Sequence, residues 1–250
     1  MATEVLTREY EVNSFLVNPQ KKLGLYSLVS ILQDSAWTHA TQLGYGYEDS
    51  LEKKMFWVLT RQKIVMSIWP AWAEHIQVNT WVRPVRGVVG TRDFEILVDG
   101  KKIGESTTSW ILLNLETRKP IRSGVASFDS SVRTEGVLEL EARKIEVRDD
   151  LIVRAEFRVR NSDLDMHYHV NNSRYVQWIL DSIPIEWHER HELHTYEINF
   201  IAETTKSDTV IISMTPEKDG PFKNDWVQFQ GVRKSDGKTV FAARLQFSSI

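Results

Sequence analysis

The same order of segments, a long helical stretch followed by a run of strands, occurs twice along this chain, and that repetition limits the fold to two similar halves. Between Leu25 and Leu43 the apolar positions Leu25, Leu28, Val29, Leu32, Ala36, Ala40 and Leu43 recur three and four apart, the helical period, and Gly44 and Gly46 end the stretch. From Met55 to Leu115 the texture changes to β-branched and aromatic runs punctuated by Trp-Pro, Arg-Pro and Val98-Asp99-Gly100-Lys101, whose Asp-Gly pair predicts a tight hairpin. A second helical stretch spans Asn172 to Arg190, with Asn171 or Asn172 as N-cap, and Tyr175, Trp178, Ile179, Ser182 and Ile185 on one side. Pro184 bends or ends it, and strand-like runs follow, with a hairpin at Ser235-Asp236-Gly237-Lys238. Leu32-Gln33-Asp34-Ser35 matches Ile179-Leu180-Asp181-Ser182 at an offset of 147 (181 − 34), and the two Asp-Gly-Lys turns match at 137 (236 − 99). Their common order favours duplication. The expected class is α+β, each half a long helix wrapped by an antiparallel sheet, with halves at 1–125 and 151–250 and a surface-packed linker at 126–150.

Composition narrows the function classes. With 42% hydrophobic and 26% charged residues among 250, the chain reads as an ordinary soluble globular protein. Thirty-four acidic against 31 basic side chains give a net charge of -3, which provides no global positive field for nucleic acid. Residues Leu23 to Tyr47 carry only Asp34 as a formal charge, yet their Ser, Thr, Gln and His content is too polar for a membrane span, so the helix is expected inside protein. Glu4, Arg8, Glu9 and Glu11 interrupt the order of a secretory signal; the expectation is a cytoplasmic protein, without membrane attachment. The sequence has no cysteine, which removes disulfides, thiolate metal sites and cysteine nucleophiles. Neither a glycine-rich phosphate loop nor a metal-ligand motif is present, so no cofactor is expected.

The densest chemistry lies just ahead of the second helix, where Asp163, Asp165, His167, His169, Asn171 and Asn172 fall within ten positions. On an extended segment Asp163, Asp165, His167 and His169 would share one face. Imidazole exchanges protons near neutral pH and a carboxylate orients it or acts as base toward water. A helix beginning at Asn171 or Asn172 adds backbone N–H groups for a developing oxyanion. Such parts suit acyl-group hydrolysis, although an Asx-rich capping loop explains the same residues. His188, His191 and His194, interleaved with Glu189, Arg190 and Glu192, read as a solvated helix end rather than a metal site.

The run D-L-D-M-H-Y-H-V-N-N-S-R-Y followed by V-Q-W-I-L-D-S-I-P closely resembles the acyl-ACP thioesterase motif D-x-D-x-N-x-H-V-N-N-x-x-Y, then W-I-L-E/D-S. Trp57-Val58-Leu59-Thr60-Arg61 and Phe200-Ile201-Ala202-Glu203-Thr204 extend the likeness over nearly the whole chain. The resemblance implies a double hotdog fold and hydrolysis of fatty acyl-ACP to free fatty acid, with activity in the second half and chain-length preference in the first. By position it implies catalytic roles for Asp165, His169 and Glu203, and His167, standing where the family generally has Asn, is a fourth catalytic candidate, a donor in place of that carboxamide. Thr204 stands where plant members carry Cys, so no thiolate acyl-enzyme forms. Water activated by Glu203, or Asp165 as nucleophile through a mixed anhydride, both remain open.

Asn171, Asn172 and Thr204 are the candidate substrate contacts beside this motif. Leu28 and Leu32 of the first helix, with Trp57, are candidate acyl-chain lining, and equally plain core. The acyl carrier protein implied as partner is acidic, so docking calls for basic surface, for which Lys21-Lys22, Arg83 with Arg86, Arg118-Lys119-Arg122 and Arg143-Lys144 are candidates. Monomer and homodimer are both compatible with fused hotdogs. The competing functions are an acyl-CoA thioesterase and a noncatalytic acyl-binding module.

Overall fold

The computed structural model describes residues 4–121, 132–216 and 226–249. They fall into two compact units, Met1–Ala142 and Arg143–Ile250. The first contains β1 (Val5–Glu11), α1 (Leu25–Gln42), α2 (Tyr47–Glu52), β2 (Met55–Met66), β3 (His75–Val82), β4 (Val89–Val98) and β5 (Lys101–Asn114). The second contains β6 (Ile152–Arg158), α3 (Asn172–Asp181), α4 (Ile185–Arg190), β7 (His191–Phe200), β8 (Thr209–Met214), β9 (Val227–Arg233) and β10 (Thr239–Ser249). Strands run antiparallel in the order β1-β3-β4-β5-β2 in the first unit. In the second the order is β6-β8-β9-β10-β7, the same arrangement strand for strand. Each unit is thus a sheet wrapped about a helix, and the duplication read from two short matches extends to topology.

Three elements escape the sequence reading. Strands β1 and β6 each pair with a single neighbour in their own unit, and Arg8, Glu9 and Glu11 on one and the exposed Val153 on the other give no clean alternation. Helix α2 is six residues long, too short to show a period; its start is held by Gly46 N–H donating to Asp49 Oδ2 at 2.8 Å. The Asp99-Gly100 hairpin has φ of 49° and 74° at its two central residues, the left-handed pair of a type I′ turn, between Val98 and Lys101.

Helix α1 buries Leu25, Leu28, Val29, Ile31, Leu32 and Ala36, and its large apolar side chains contribute about 1.5–3 kcal/mol each by leaving water. Gly44, with φ 76°, ends it. His39 on the same face is fully buried and its Nδ1 lies 2.9 Å from Nη1 of Arg92, which also donates to Thr80 Oγ1 at 3.2 Å. Burial pushes the Arg92 guanidinium down to about 9. The next residue, Asp93, points to the other face of β4. There it accepts a fork from Arg83 at 2.7 Å and 2.7 Å, the Thr107 hydroxyl at 2.9 Å and the Leu138 N–H at 3.1 Å. That network fastens the connecting chain to the first unit and removes Arg83 from the candidate docking cations. Of the others, Lys144 pairs with Glu146, Arg118 lies over the Phe56 ring, and Arg122 lies outside the described residues.

Residues 132–150 contain no helix or ladder strand, but they are anchored: Ile145 N–H donates to Asn199 Oδ1 at 2.7 Å and Arg148 N–H to Gln230 Oε1 at 3.2 Å. In the second unit Tyr175, Val176, Trp178 and Ile179 of α3 are buried. Ile185, expected on that face, is 72% exposed. Ser182 caps α3, and Pro184 starts a separate helix, so the register is lost between them. Asp93→Ala leaves the Arg83 guanidinium without its carboxylate and is expected to destabilise the fold by about 3–5 kcal/mol, read by urea unfolding.

Candidate active site

The loop ahead of α3 is built by its own carboxylates. A 3-10 turn, Asn161–Asp163, is closed by Arg160 N–H donating to Asp163 Oδ2 at 2.7 Å, and the Asp163 carbonyl accepts Asn171 N–H at 2.9 Å. Asp165 Oδ1 then accepts two backbone donors, His167 N–H at 2.8 Å and His169 N–H at 3.2 Å. Asp165 N–H donates to the His169 carbonyl at 2.8 Å, and Tyr168 takes φ 61° to close the turn. The segment is therefore a tight turn, which overturns the expectation of an extended run with Asp163, Asp165, His167 and His169 on one face. Once side-chain oxygen satisfies the local N–H groups, strand pairing has nothing to offer them. Asp163 is buried, His167 exposed and His169 half-buried.

Helix α3 starts as predicted at Asn171, whose Oδ1 accepts Ser173 N–H and the Ser173 hydroxyl, both at 2.9 Å; Asn172 is the first helical residue. Arg174 N–H donates to the Asn171 carbonyl at 2.8 Å. The Ser173 and Arg174 amides are therefore spent on capping, which removes them from the donors expected for an oxyanion.

The chain leaving β7 completes the site. Val170 N–H donates to the Thr204 carbonyl at 2.9 Å and His169 forms a bridge with Thr205. Thr205 is itself held, N–H and hydroxyl, by Asp208 Oδ2 at 2.7 Å and 3.0 Å. The outcome is that His169 Nε2 lies 3.6 Å from Glu203 Oε2, with side chains 29% and 51% exposed. That separation is just beyond a hydrogen bond and within an ion pair, and such contacts tighten when substrate binds. Thr204 is fully buried and its hydroxyl makes no hydrogen bond among the described residues, and the Tyr175 hydroxyl is pushed up to about 12 chiefly by burial. Arg233 reaches the Glu203 carbonyl through Nη1 at 2.7 Å.

The structure thus brings Asp165, His169 and Glu203 together within the second unit and turns His167 outward. Leu28 and Leu32 are buried core of α1, and the Trp57 ring covers Gly90, where a Cβ would come within 2.9 Å of it. The three histidines beyond α3 have separate partners: His188 Nε2 is 3.1 Å from the Leu180 carbonyl, and His194 Nδ1 is 2.9 Å from Thr195 Oγ1. His191 stacks on Trp187 with ring centroids 3.4 Å apart. His191 and His194 belong to β7 rather than to the expected helix end. Among the described residues no three His, Cys, Asp or Glu are grouped to hold a metal ion. Sequence reasoning missed Arg233, Asp208 and Tyr175; the signal available was the Arg233-x-x-Asp236 spacing at the second hairpin.

A helix wrapped by an antiparallel sheet, duplicated in tandem, is a double hotdog. The chain belongs to the acyl-ACP thioesterase family: residues 3–124 match its N-terminal domain and residues 147–249 its C-terminal domain. A chloroplastic palmitoyl-acyl carrier protein thioesterase of Arabidopsis thaliana is 28% identical over 98% of this chain and 64% of its own length. The counterpart in Gossypium hirsutum is 29% identical over 88% of this chain and 57% of its own length, so the chain spans less than two thirds of these relatives. The crystal structure of an acyl-ACP thioesterase from Bacteroides thetaiotaomicron superposes with a TM-score of 0.86 at 27% identity, covering 98% of both chains. The 12:0-ACP thioesterase from Umbellularia californica shares the fold, with a TM-score of 0.79 at 18% identity over 100% of this chain and 96% of its own.

Removing the acceptor in Asp165→Ala is expected to speed amide exchange at His167 and His169 by about tenfold or more, because a bond to a charged group is worth about 1.5–3 kcal/mol. Hydrogen exchange followed by NMR checks this, with the α1 amides as internal control.

Proposed function

We propose that this chain hydrolyses the thioester between a fatty acyl group and acyl carrier protein, releasing free fatty acid and so ending acyl elongation. The observation that carries the reading is the 3.6 Å approach of His169 to Glu203 on a scaffold of this family. Glu203 takes a proton from water as the water oxygen bonds to the thioester carbon; the tetrahedral intermediate collapses, the C–S bond breaks, and that proton passes from Glu203 by way of His169 to the departing thiolate, which leaves the pair as it began. Asp165 holds the turn that presents His169, a role supported by its two backbone acceptor bonds. His167, at the family's Asn position, points outward and supports no step. Water attack is favoured over an Asp165 anhydride because one Asp165 oxygen is already committed to the turn.

We place acyl-chain selectivity in the first unit, with Leu28, Leu32 and Trp57 as lining, and Asn171, Asn172 and Thr204 as residues that shape the substrate end of the site. Free fatty acid released from a panel of acyl-ACPs, compared with matched acyl-CoAs, tests the function; release from acyl-CoA alone favours the acyl-CoA thioesterase, and binding without release the acyl-binding module. Glu203→Gln and His169→Ala are expected to lower kcat by about 10²–10⁴-fold in folded protein, the range for a lost general acid or base. His167→Asn is expected to leave turnover essentially unchanged, measured by the same assay.

A further inference from the structure

We propose that Arg233 is a positioning residue for the His169–Glu203 pair, acting as a clamp on the backbone that carries Glu203; its catalytic meaning rests on the function proposed above. Glu203 lies past the end of β7, where the ladder with β10 has stopped: Ile201 and Ala202 N–H still reach the Val240 carbonyl, but the Glu203 carbonyl lies beyond that ladder. Its donor is the guanidinium of Arg233, at 2.7 Å through Nη1. The same Nη1 stands 3.9 Å from Asp208 Oδ2, the oxygen that holds Thr205. One side chain therefore spans both ends of the loop from Glu203 to Asp208, while the middle of that loop is tied to Val170 and His169.

Asp236 aims the clamp. Its carboxylate accepts Arg233 Nε at 2.9 Å and Nη2 at 2.7 Å, a planar two-point grip that leaves Nη1 directed at the Glu203 carbonyl. With these donors engaged and only 16% of the side chain exposed, Arg233 is built to hold backbone rather than to meet substrate. The Arg233 hydrogen bond keeps the Asp236 carboxyl down at about 2. The grip is thus complete above the ordinary carboxylate range and is lost only as pH falls toward about 2, so the clamp stays closed throughout the neutral range.

The duplication supplies an internal control. In the first unit the Asp99-Gly100 hairpin has a two-residue loop between Val98 and Lys101. In the second, Arg233 N–H pairs with the Lys238 carbonyl around a longer loop of residues 234–237, closed by Gly237 at φ 70°, and this brings Asp236 back onto Arg233. The residue in the place of Arg233, the last before the loop, is Val98 in the first unit, which has no charged group to offer. The longer loop and the Arg233 pairing occur in the unit that carries the His169–Glu203 pair.

Steady-state kinetics on acyl-ACP with Arg233→Gln, Arg233→Lys and Asp236→Asn tests the clamp. We expect Arg233→Gln to lower kcat by about tenfold or more with KM within about twofold, since small misplacement of a reacting group costs rate rather than binding. Arg233→Lys should recover part of the loss, and Asp236→Asn, at an exposed hairpin, should show the same split in milder form. Unchanged kcat in folded Arg233→Gln overturns the proposal, as does a parallel loss in Arg233→Lys and Arg233→Gln that tracks their melting temperatures. An NMR comparison separates this from failure of the hydrolase reading. If the wild type releases no fatty acid from any thioester, the function falls, yet the clamp still predicts that His169 ring signals in Arg233→Gln and Asp236→Asn move toward those of Glu203→Gln. Ring signals that stay at their wild-type positions in both variants refute it.

Discussion

Two backbone contacts, Val170 N–H to the Thr204 carbonyl and the bridge between His169 and Thr205, make the site possible. They join the turn before α3 to the loop after β7, segments more than thirty positions apart in sequence. Each partner is stiffened independently, the turn by Asp165 and the loop by Asp208. An imidazole and a carboxylate brought together by two pre-stiffened segments lose little conformational freedom when they act, which is how a small surface site gains precision.

The repeat of helix and strands was legible because period and turn chemistry are local: Leu25 through Ala36 and the two Asp-Gly-Lys turns carry their own signals. Helix α3 and its cap at Asn171 were legible for the same reason. The edge strands β1 and β6 were not: their inward faces are only half-buried and on β1 include Arg8, while exposed Ile152 and Val153 open β6, so apolar alternation does not mark them. At the site, the approach of His169 and Glu203 followed from the family motif, not from any local pattern. The shape of the Asp165 turn was misread because alternation counts positions and ignores where a carboxylate sends its lone pairs. The Arg233-x-x-Asp236 spacing marked an ion pair at the hairpin, but its bearing on the site was not legible because that depends on a carbonyl thirty residues away.

The two units spend their buried polar groups differently. In the first, Arg92 with His39 lies under α1, and Asp93 with Arg83 and Thr107 lies on the opposite face of the same strand. In the second, Asn199 and Gln230 receive the incoming connecting chain. Buried hydrogen-bonded groups tolerate little displacement, so each network fixes one docking of chain on sheet. Identical topology thus carries two unlike interiors.

The turn at Tyr168 holds a further consequence. An aromatic residue in the left-handed region, 72% exposed, contributes no side chain to the frame described by Asp165; neighbouring Met166 is 64% exposed. Skeleton and lettering part at Met166, whose outward side chain takes no share in the shape the acid writes, whereas position 168 carries the cost of its left-handed backbone, which a β-branched residue there would raise.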